Sequence, residues 1–174
     1  MSNSATETQK SQPASARAAA LADRIEEGAA ILAKFAVGLS DQEWATPVTA
    51  TDQRTVGVII HHVASMYPIE MGLIKAIAAG DSAPEVTWEA VANINSAHAA
   101  ENAAVTKDSA IKLLDQNSRQ AAEEVRQLSD DQLDIAVPFS LSFGAPMTTQ
   151  FVIEDHPLRH AWHHLSRIKA TLGK

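Results

Sequence analysis

Apolar residues recur every three or four positions in several long stretches of the chain, which is the repeat of an amphipathic helix. Ser40 followed by Glu43 predicts a capping box that opens a short helical turn after the first stretch, and residues 47–52 predict a linker. Thr55 is the predicted cap of a second helix, which ends near Gly80. The apolar positions of the first helix, residues 16–39, are Leu21, Ile25, Ala29, Leu32, Ala36 and Leu39.

Three further helices are predicted after the second one. A third helix runs from Trp88 to about Val105, and the phase of the apolar repeat changes at Thr106, where we expect a fourth helix to begin. Residues 136–147 contain two prolines and a glycine and predict a loop or a small hairpin. The last helix covers about residues 149–172, with Pro157 inside it or at a break in it. The pattern therefore predicts an all-α fold, an antiparallel four-helix bundle with one extra shorter helix.

The composition supports a helical domain and shows where it begins. The sequence holds 32 alanines against 7 glycines and 7 prolines, and alanine is the best helix former. Within residues 1–15 the only nonpolar residues are Met1, two alanines and Pro13. A polar segment of this kind predicts a disordered tail and no secretory signal. We therefore expect one helical domain over residues 16–174.

Charge and cysteine content exclude several classes of partner and site. The net charge of −7 argues against a nucleic-acid partner and against an anionic membrane surface. The chain has no cysteine, which excludes disulfides and thiolate metal sites. No apolar run reaches the roughly 18 residues of a membrane span, so a cytoplasmic protein is expected. Because alanine-rich helices with few aromatic residues leave a thin core, we also expect a homodimer.

The histidines are the candidate chemical groups. Four of the seven histidines lie within residues 156–164, and His160 and His164 are four residues apart on one helix face. Two imidazoles at this spacing can hold one metal ion. On the second helix, His62 lies at the edge of the apolar face, whereas His61 points away from it. The residues alone leave open whether these histidines bind a metal or are hydrogen-bonded core and surface residues.

Two segments of the sequence combine these histidines with apolar and small neighbours. They are Val56-Gly-Val-Ile-Ile-His-His62-Val-Ala64 and His160-Ala-Trp-His-His164-Leu-Ser-Arg-Ile168. Together they resemble the DinB-like (YfiT-like) family of metal-dependent four-helix-bundle proteins. The family pattern is one histidine in the second helix and a His-x-x-x-His pair in the last. The resemblance implies that His62, His160 and His164 ligate a divalent metal ion, which could be Zn, Ni, Fe or Mn.

The sequence departs from this pattern at two places. On the second helix, His61 could take the place of His62 as the histidine of the family pattern. On the last helix, His156, next to Pro157, is a further candidate ligand. Either could replace a named ligand. His163 points away from the apolar side of its helix and is expected at the surface.

Three other residues could support such a site from outside the ligand set. Glu70 falls inside the apolar face of the second helix, where it could orient a ligand histidine, accept a proton or pair with a Lys or Arg. His98 and Glu101 share one helix face and could lie near the site or form a structural pair. Trp162 is expected to pack in the bundle. The sequence contains no His-Glu-x-x-His motif and no glycine-rich phosphate loop.

Three neutral imidazoles would leave a metal with an open position, as in catalytic zinc sites. Water bound there ionises near neutral pH. The resemblance implies a small-molecule hydrolase, or a transferase that uses a low-molecular-weight thiol. Since the chain has no cysteine, that thiol would have to be a cosubstrate. The alternative is a non-catalytic bundle that binds a metal or a small ligand, such as a stress-related binding module.

Overall fold

Four long helical segments build the molecule in the computed structural model, which describes residues 15–174. They are α1 (Ala16–Val37), α3 (Val56–Ala78), α5 (Lys107–Arg126) and a final segment that ends with α8 (Arg159–Leu172). Helix α1 packs against α5 and α8, and α3 packs against the same two helices. The predicted four-helix bundle is therefore confirmed.

Shorter elements connect the long helices. They are α2 (Asp41–Trp44), α4 (Trp88–Glu101), α6 (Asp130–Asp134) and a two-stranded antiparallel hairpin of β1 (Ala136–Pro138) and β2 (Pro146–Thr148). The hairpin loop contains a 3-10 turn over Ser140–Ser142. The predicted hairpin and extra helix are present, whereas α6 was not predicted from the sequence.

The helix starts follow from side-chain caps. Thr55, Thr87 and Thr106 each accept a hydrogen bond from a backbone N–H in the first turn of α3, α4 and α5. Ser40 forms the predicted capping box with Glu43 at the start of α2. These caps satisfy N–H groups that the helix itself leaves unpaired.

The first described residue already belongs to the fold. Ser15 is buried, caps α1 and hydrogen-bonds through its hydroxyl to Asp130. The rest of the predicted tail, residues 1–14, lies outside the described residues. None of the helices in residues 15–174 is long and apolar enough to span a bilayer.

The last segment contains the predicted irregularity at Pro157. Helix α7 (Thr149–Ile153) runs into a π-helical turn over Glu154–Leu158, which continues into α8. Proline has no N–H and crowds the carbonyl four residues earlier. The wider π turn accommodates it without ending the helix.

Helix α4 differs from the expectation. It ends at Glu101 instead of Val105, and none of its 14 residues is buried. Ile94 is 46% exposed and lines a cavity next to α3. Of the 14 residues of α4, five are alanines and six are polar or charged, so the helix has little apolar surface to bury in the core.

Candidate metal centre

Three histidines from two helices converge at one point. His62 comes from α3, and His160 and His164 come from successive turns of α8. Each ring offers one nitrogen, and these three atoms lie within 4.8 Å of one another. His62 is 5% exposed and His164 is 6% exposed, so the group is enclosed by the bundle.

Burial keeps two of these imidazoles neutral. Burial, and then the nearby His160, lowers the pKa of His62 to about 3. The same two causes lower the pKa of His164 to about 2. Neutral imidazoles have a free lone pair, which is the form that binds a metal.

Glu70 contacts the third histidine. Its Oε1 lies 2.9 Å from Nδ1 of His160, and both side chains are largely buried. The structure thus pairs Glu70 with a histidine and not with a Lys or Arg. A metal-binding histidine commonly directs its second ring nitrogen at a carboxylate, which fixes the ring's orientation. This contact leaves Nε2 of His160 free to face an ion.

The remaining polar atoms also fit a cation. Within the described part of the chain, the buried Nδ1 atoms of His62, His160 and His164 have no hydrogen-bond partner, since the 2.9 Å contact of His160 with Glu70 lacks hydrogen-bond geometry. Buried polar groups are normally paired, so three imidazoles gathered with unpaired ring nitrogens are unusual as a purely structural arrangement. Three nitrogen donors with one supporting carboxylate suit a divalent transition metal.

A cavity of about 480 Å³ opens above the three histidines. Its walls are mainly apolar side chains from α3 and α4, including Ile69, Leu73, Trp88 and Ile94. A volume of this size is typical of small-molecule sites. The histidine group therefore lies where a small molecule could reach it.

A sequence model of the DinB superfamily matches residues 24–168. This chain belongs to the DinB superfamily. Among solved structures, it is similar to YfiT from Bacillus subtilis, described as "a probable metal-dependent hydrolase with an unusual four-helix bundle topology". The two align with a TM-score of 0.70 and 15% identity, over 93% of this chain and 89% of that chain. At this identity the likeness shows the fold alone. No curated protein sequence matches this chain significantly.

The other histidines of this DinB-superfamily chain lie around the group without joining it. His156 lines the cavity, and its ring packs edge-on against Phe139 with centroids 5.7 Å apart. His163 is exposed, as predicted, and its ring also lines the cavity, edge-on to His164 with centroids 5.1 Å apart. Its neighbour Trp162 packs over Gly28 of α1, which confirms its expected packing role.

His61 corrects one expectation from the sequence. It was expected in solvent, but it is half-buried, and its Nδ1 lies 2.9 Å from Nε2 of His98. The reason is that α4 covers this side of α3 and brings His98 against it. The ring of His98 also meets His62 edge-on, with centroids 5.4 Å apart. His98 thus lies beside the site, whereas Glu101 is exposed at the end of α4.

Sequence reasoning missed one charged pair next to the DinB histidines. Arg54, in the segment before α3, lies close enough for its charge to lower the pKa of His62 and His98 further. Asp52 accepts hydrogen bonds from Nε and Nη2 of Arg54 at 2.8 and 2.7 Å. Asp52 also accepts one from Arg167 of α8 at 3.3 Å. Both Asp52 and Arg54 lie outside the helical repeat, so no periodicity marks them.

Proposed function

We propose that this DinB-superfamily protein is a divalent-metal-dependent hydrolase in which His62, His160 and His164 hold the ion. The observation that carries the proposal is the convergence of three imidazoles within 4.8 Å beneath a cavity. The description of YfiT as a probable metal-dependent hydrolase supports the same activity. A divalent ion with three imidazole ligands supplies an open position at which water ionises near neutral pH.

The chain's own residues would prepare that position in three ways. Burial holds His62 and His164 neutral, so both present lone pairs without first losing a proton. Glu70 fixes the orientation of His160 through its Nδ1. The apolar cavity wall binds the substrate and limits the water around it, which strengthens electrostatic interactions inside the site.

Hydrolysis of a panel of esters and amides by Zn-, Mn- and Ni-loaded protein tests this proposal. We expect activity that a chelator abolishes and that metal restores. His164→Ala should lower kcat/KM by at least about 100-fold. Ser166→Ala changes an exposed residue of the same helix that does not line the cavity and should leave kcat/KM unchanged. Stoichiometric metal binding with no turnover of any substrate would instead support a non-catalytic binding module.

A thiol-dependent transferase is the second candidate, because the same open position could hold a thiolate and keep it deprotonated. The absence of cysteine from the sequence means that the thiol would have to come from solution. Adding a low-molecular-weight thiol to the same assays separates the two. Turnover that requires the thiol and transfers it to an electrophile would favour the transferase over the hydrolase.

We also propose that the chain forms a homodimer. Helix α4 supports this, since all 14 of its residues remain at least partly exposed in the single chain. Light scattering should then give about twice the chain mass of 18.6 kDa. A monomer at working concentration would contradict it.

A further inference from the structure

The wall of the cavity above the histidines presents mainly apolar side chains to a bound substrate. Helix α3 contributes Ile69 and Leu73, and α4 contributes Trp88, Val91 and Ile94. Ile69 is 57% exposed and Trp88 is 63% exposed, so both keep apolar surface that nothing in the described chain covers. Exposed apolar surface next to the three convergent histidines is typical of a ligand-binding site.

Each charged residue that lines this cavity already has a partner within the protein. Arg159 pairs with Asp155 at 3.0 Å, and Glu70 contacts His160 at 2.9 Å. Arg54 is held by Asp52 through Nε and Nη2. Its remaining nitrogen, Nη1, is closed off from solvent, so a substrate cannot reach it without a rearrangement.

This pairing disfavours a charged substrate. A carboxylate or phosphate lying against the apolar wall, away from the histidines and any ion they hold, would lose its hydration and find no unpaired cation among the described side chains of that wall. An uncharged apolar group, in contrast, has a favourable free energy of transfer from water to this wall. The cavity therefore selects for the apolar body of a ligand.

We infer, building on the proposed hydrolase, that the substrate is a small ester or amide with an uncharged apolar body that lies against Trp88 and Ile69. Its acyl group would face the histidines. In the reaction the oxygen of water bonds to the acyl carbon, the bond from that carbon to the leaving oxygen or nitrogen breaks, and a proton from the water goes to the leaving group. One water is consumed and no oxidant or reductant is needed.

Binding of alkyl hydroxamic acids to the Zn-loaded protein tests this inference without relying on turnover. Hydroxamates chelate the metal, and their alkyl chain takes the place of the substrate's body. From acetohydroxamic to octanohydroxamic acid, we expect affinity to rise roughly fourfold per methylene until the cavity is filled. A chain of matched length that ends in a carboxylate should bind at least about tenfold more weakly than the one that ends in a methyl group.

Variants of two exposed residues test whether the dependence of affinity on chain length arises at this wall of the cavity. Trp88→Ala and Ile69→Ser should each weaken the long hydroxamates by about tenfold and leave acetohydroxamic acid unchanged. Both residues are largely exposed, so neither change should prevent folding. Phe151→Ala is the matched control, because Phe151 is 42% exposed on α7 and does not line the cavity.

The possible results separate this inference from the proposed function. Equal affinity for short and long chains, or a chain-length dependence that survives in both Trp88→Ala and Ile69→Ser, would overturn the inference and leave the metal site standing. If Zn binds to the protein but no hydroxamate does, or if Zn does not bind, the proposed hydrolase fails and the inference fails with it.

Discussion

The contact between Glu70 and His160 links one of the proposed metal ligands to a buried carboxylate. Glu70→Gln keeps the size of the side chain but removes the charge that fixes the imidazole 2.9 Å away. Loss of such a supporting carboxylate typically weakens metal affinity by about 10- to 100-fold, and we expect a loss in this range. Competition with a chromophoric chelator measures it.

The control for this variant is Glu27→Gln, which changes an exposed glutamate on α1. It should leave metal affinity at the wild-type value. Equal affinities for Glu70→Gln and the wild type would show that the contact does not support a ligand.

The depressed pKa of His164 makes the stability of the metal-free protein depend on pH. In the unfolded chain a histidine takes up a proton below about pH 6.5, whereas in the folded protein the pKa of His164 is about 2. The unfolded state therefore binds more protons between these values, and stability falls as pH falls. From pH 7 to pH 5 this one group should cost about 2 kcal/mol.

Urea unfolding of chelator-treated protein at the two pH values measures this cost. His164→Gln should lose about 2 kcal/mol less than the wild type on acidification. His163→Gln removes a more exposed histidine whose pKa is also lowered by partial burial, so it should change the pH dependence in the same direction but less than His164→Gln does. An equal pH dependence in all three proteins would contradict the burial of a neutral imidazole at position 164.

Sequence reasoning placed individual residues correctly where the helical repeat alone decides their direction. The helical wheel put His62 on the core side of α3, and the spacing of His160 and His164 put both on one face of α8. His61 was placed wrongly because its surroundings are set by α4, a helix that is distant in sequence. Arg54 was missed because a residue in an irregular segment has no repeat from which to infer its direction.

At the scale of elements, α2 meets α3 through a tryptophan that rests on a glycine. A Cβ atom at Gly57 would lie 2.3 Å from Nε1 of Trp44, and that nitrogen donates a hydrogen bond to the carbonyl of Val105 at 3.1 Å. Gly57→Ala should therefore displace the ring and destabilise the fold by roughly 1–3 kcal/mol. Urea denaturation measures the change.

Gly72, in the same helix, is the matched control. A Cβ atom there would meet no described atom within 4 Å. Gly72→Ala should accordingly stabilise α3 by up to about 1 kcal/mol, because alanine favours the helix. If both variants shift stability in the same direction, the proposed contact between α2 and α3 is wrong.

Helices could be predicted from the sequence where their apolar positions repeat regularly or where a capping residue marks their start. The long helices have apolar positions every three or four residues, and Ser40, Thr55 and Thr106 mark three helix starts. Helix α6 has only five residues, too few for a repeat to be recognised. The predicted end of α4 was wrong because alanine occurs on both buried and exposed helix faces, so the alanines near Val105 do not show where the helix stops.

For the whole molecule, we expect the fold to be independent of the metal. The buried core extends along α1, α3 and α5, and α1 and α5 contribute none of the three histidines. A zinc finger, in contrast, obtains its folding free energy from the ion. Far-UV circular dichroism should therefore show nearly the same helical content before and after chelation. Loss of helicity on chelation would mean that the ion is structural.

The proposed function requires that His62, His160 and His164 bind a metal ion. Calorimetric titration of chelator-treated protein with Zn²⁺ tests this, with His160→Ala, His164→Ala and His163→Ala measured alongside the wild type. We predict one ion per chain for the wild type and for His163→Ala, and affinity at least about 100-fold weaker for the other two. A wild-type protein that takes up no metal, or uptake that is unchanged in His164→Ala, would contradict the account.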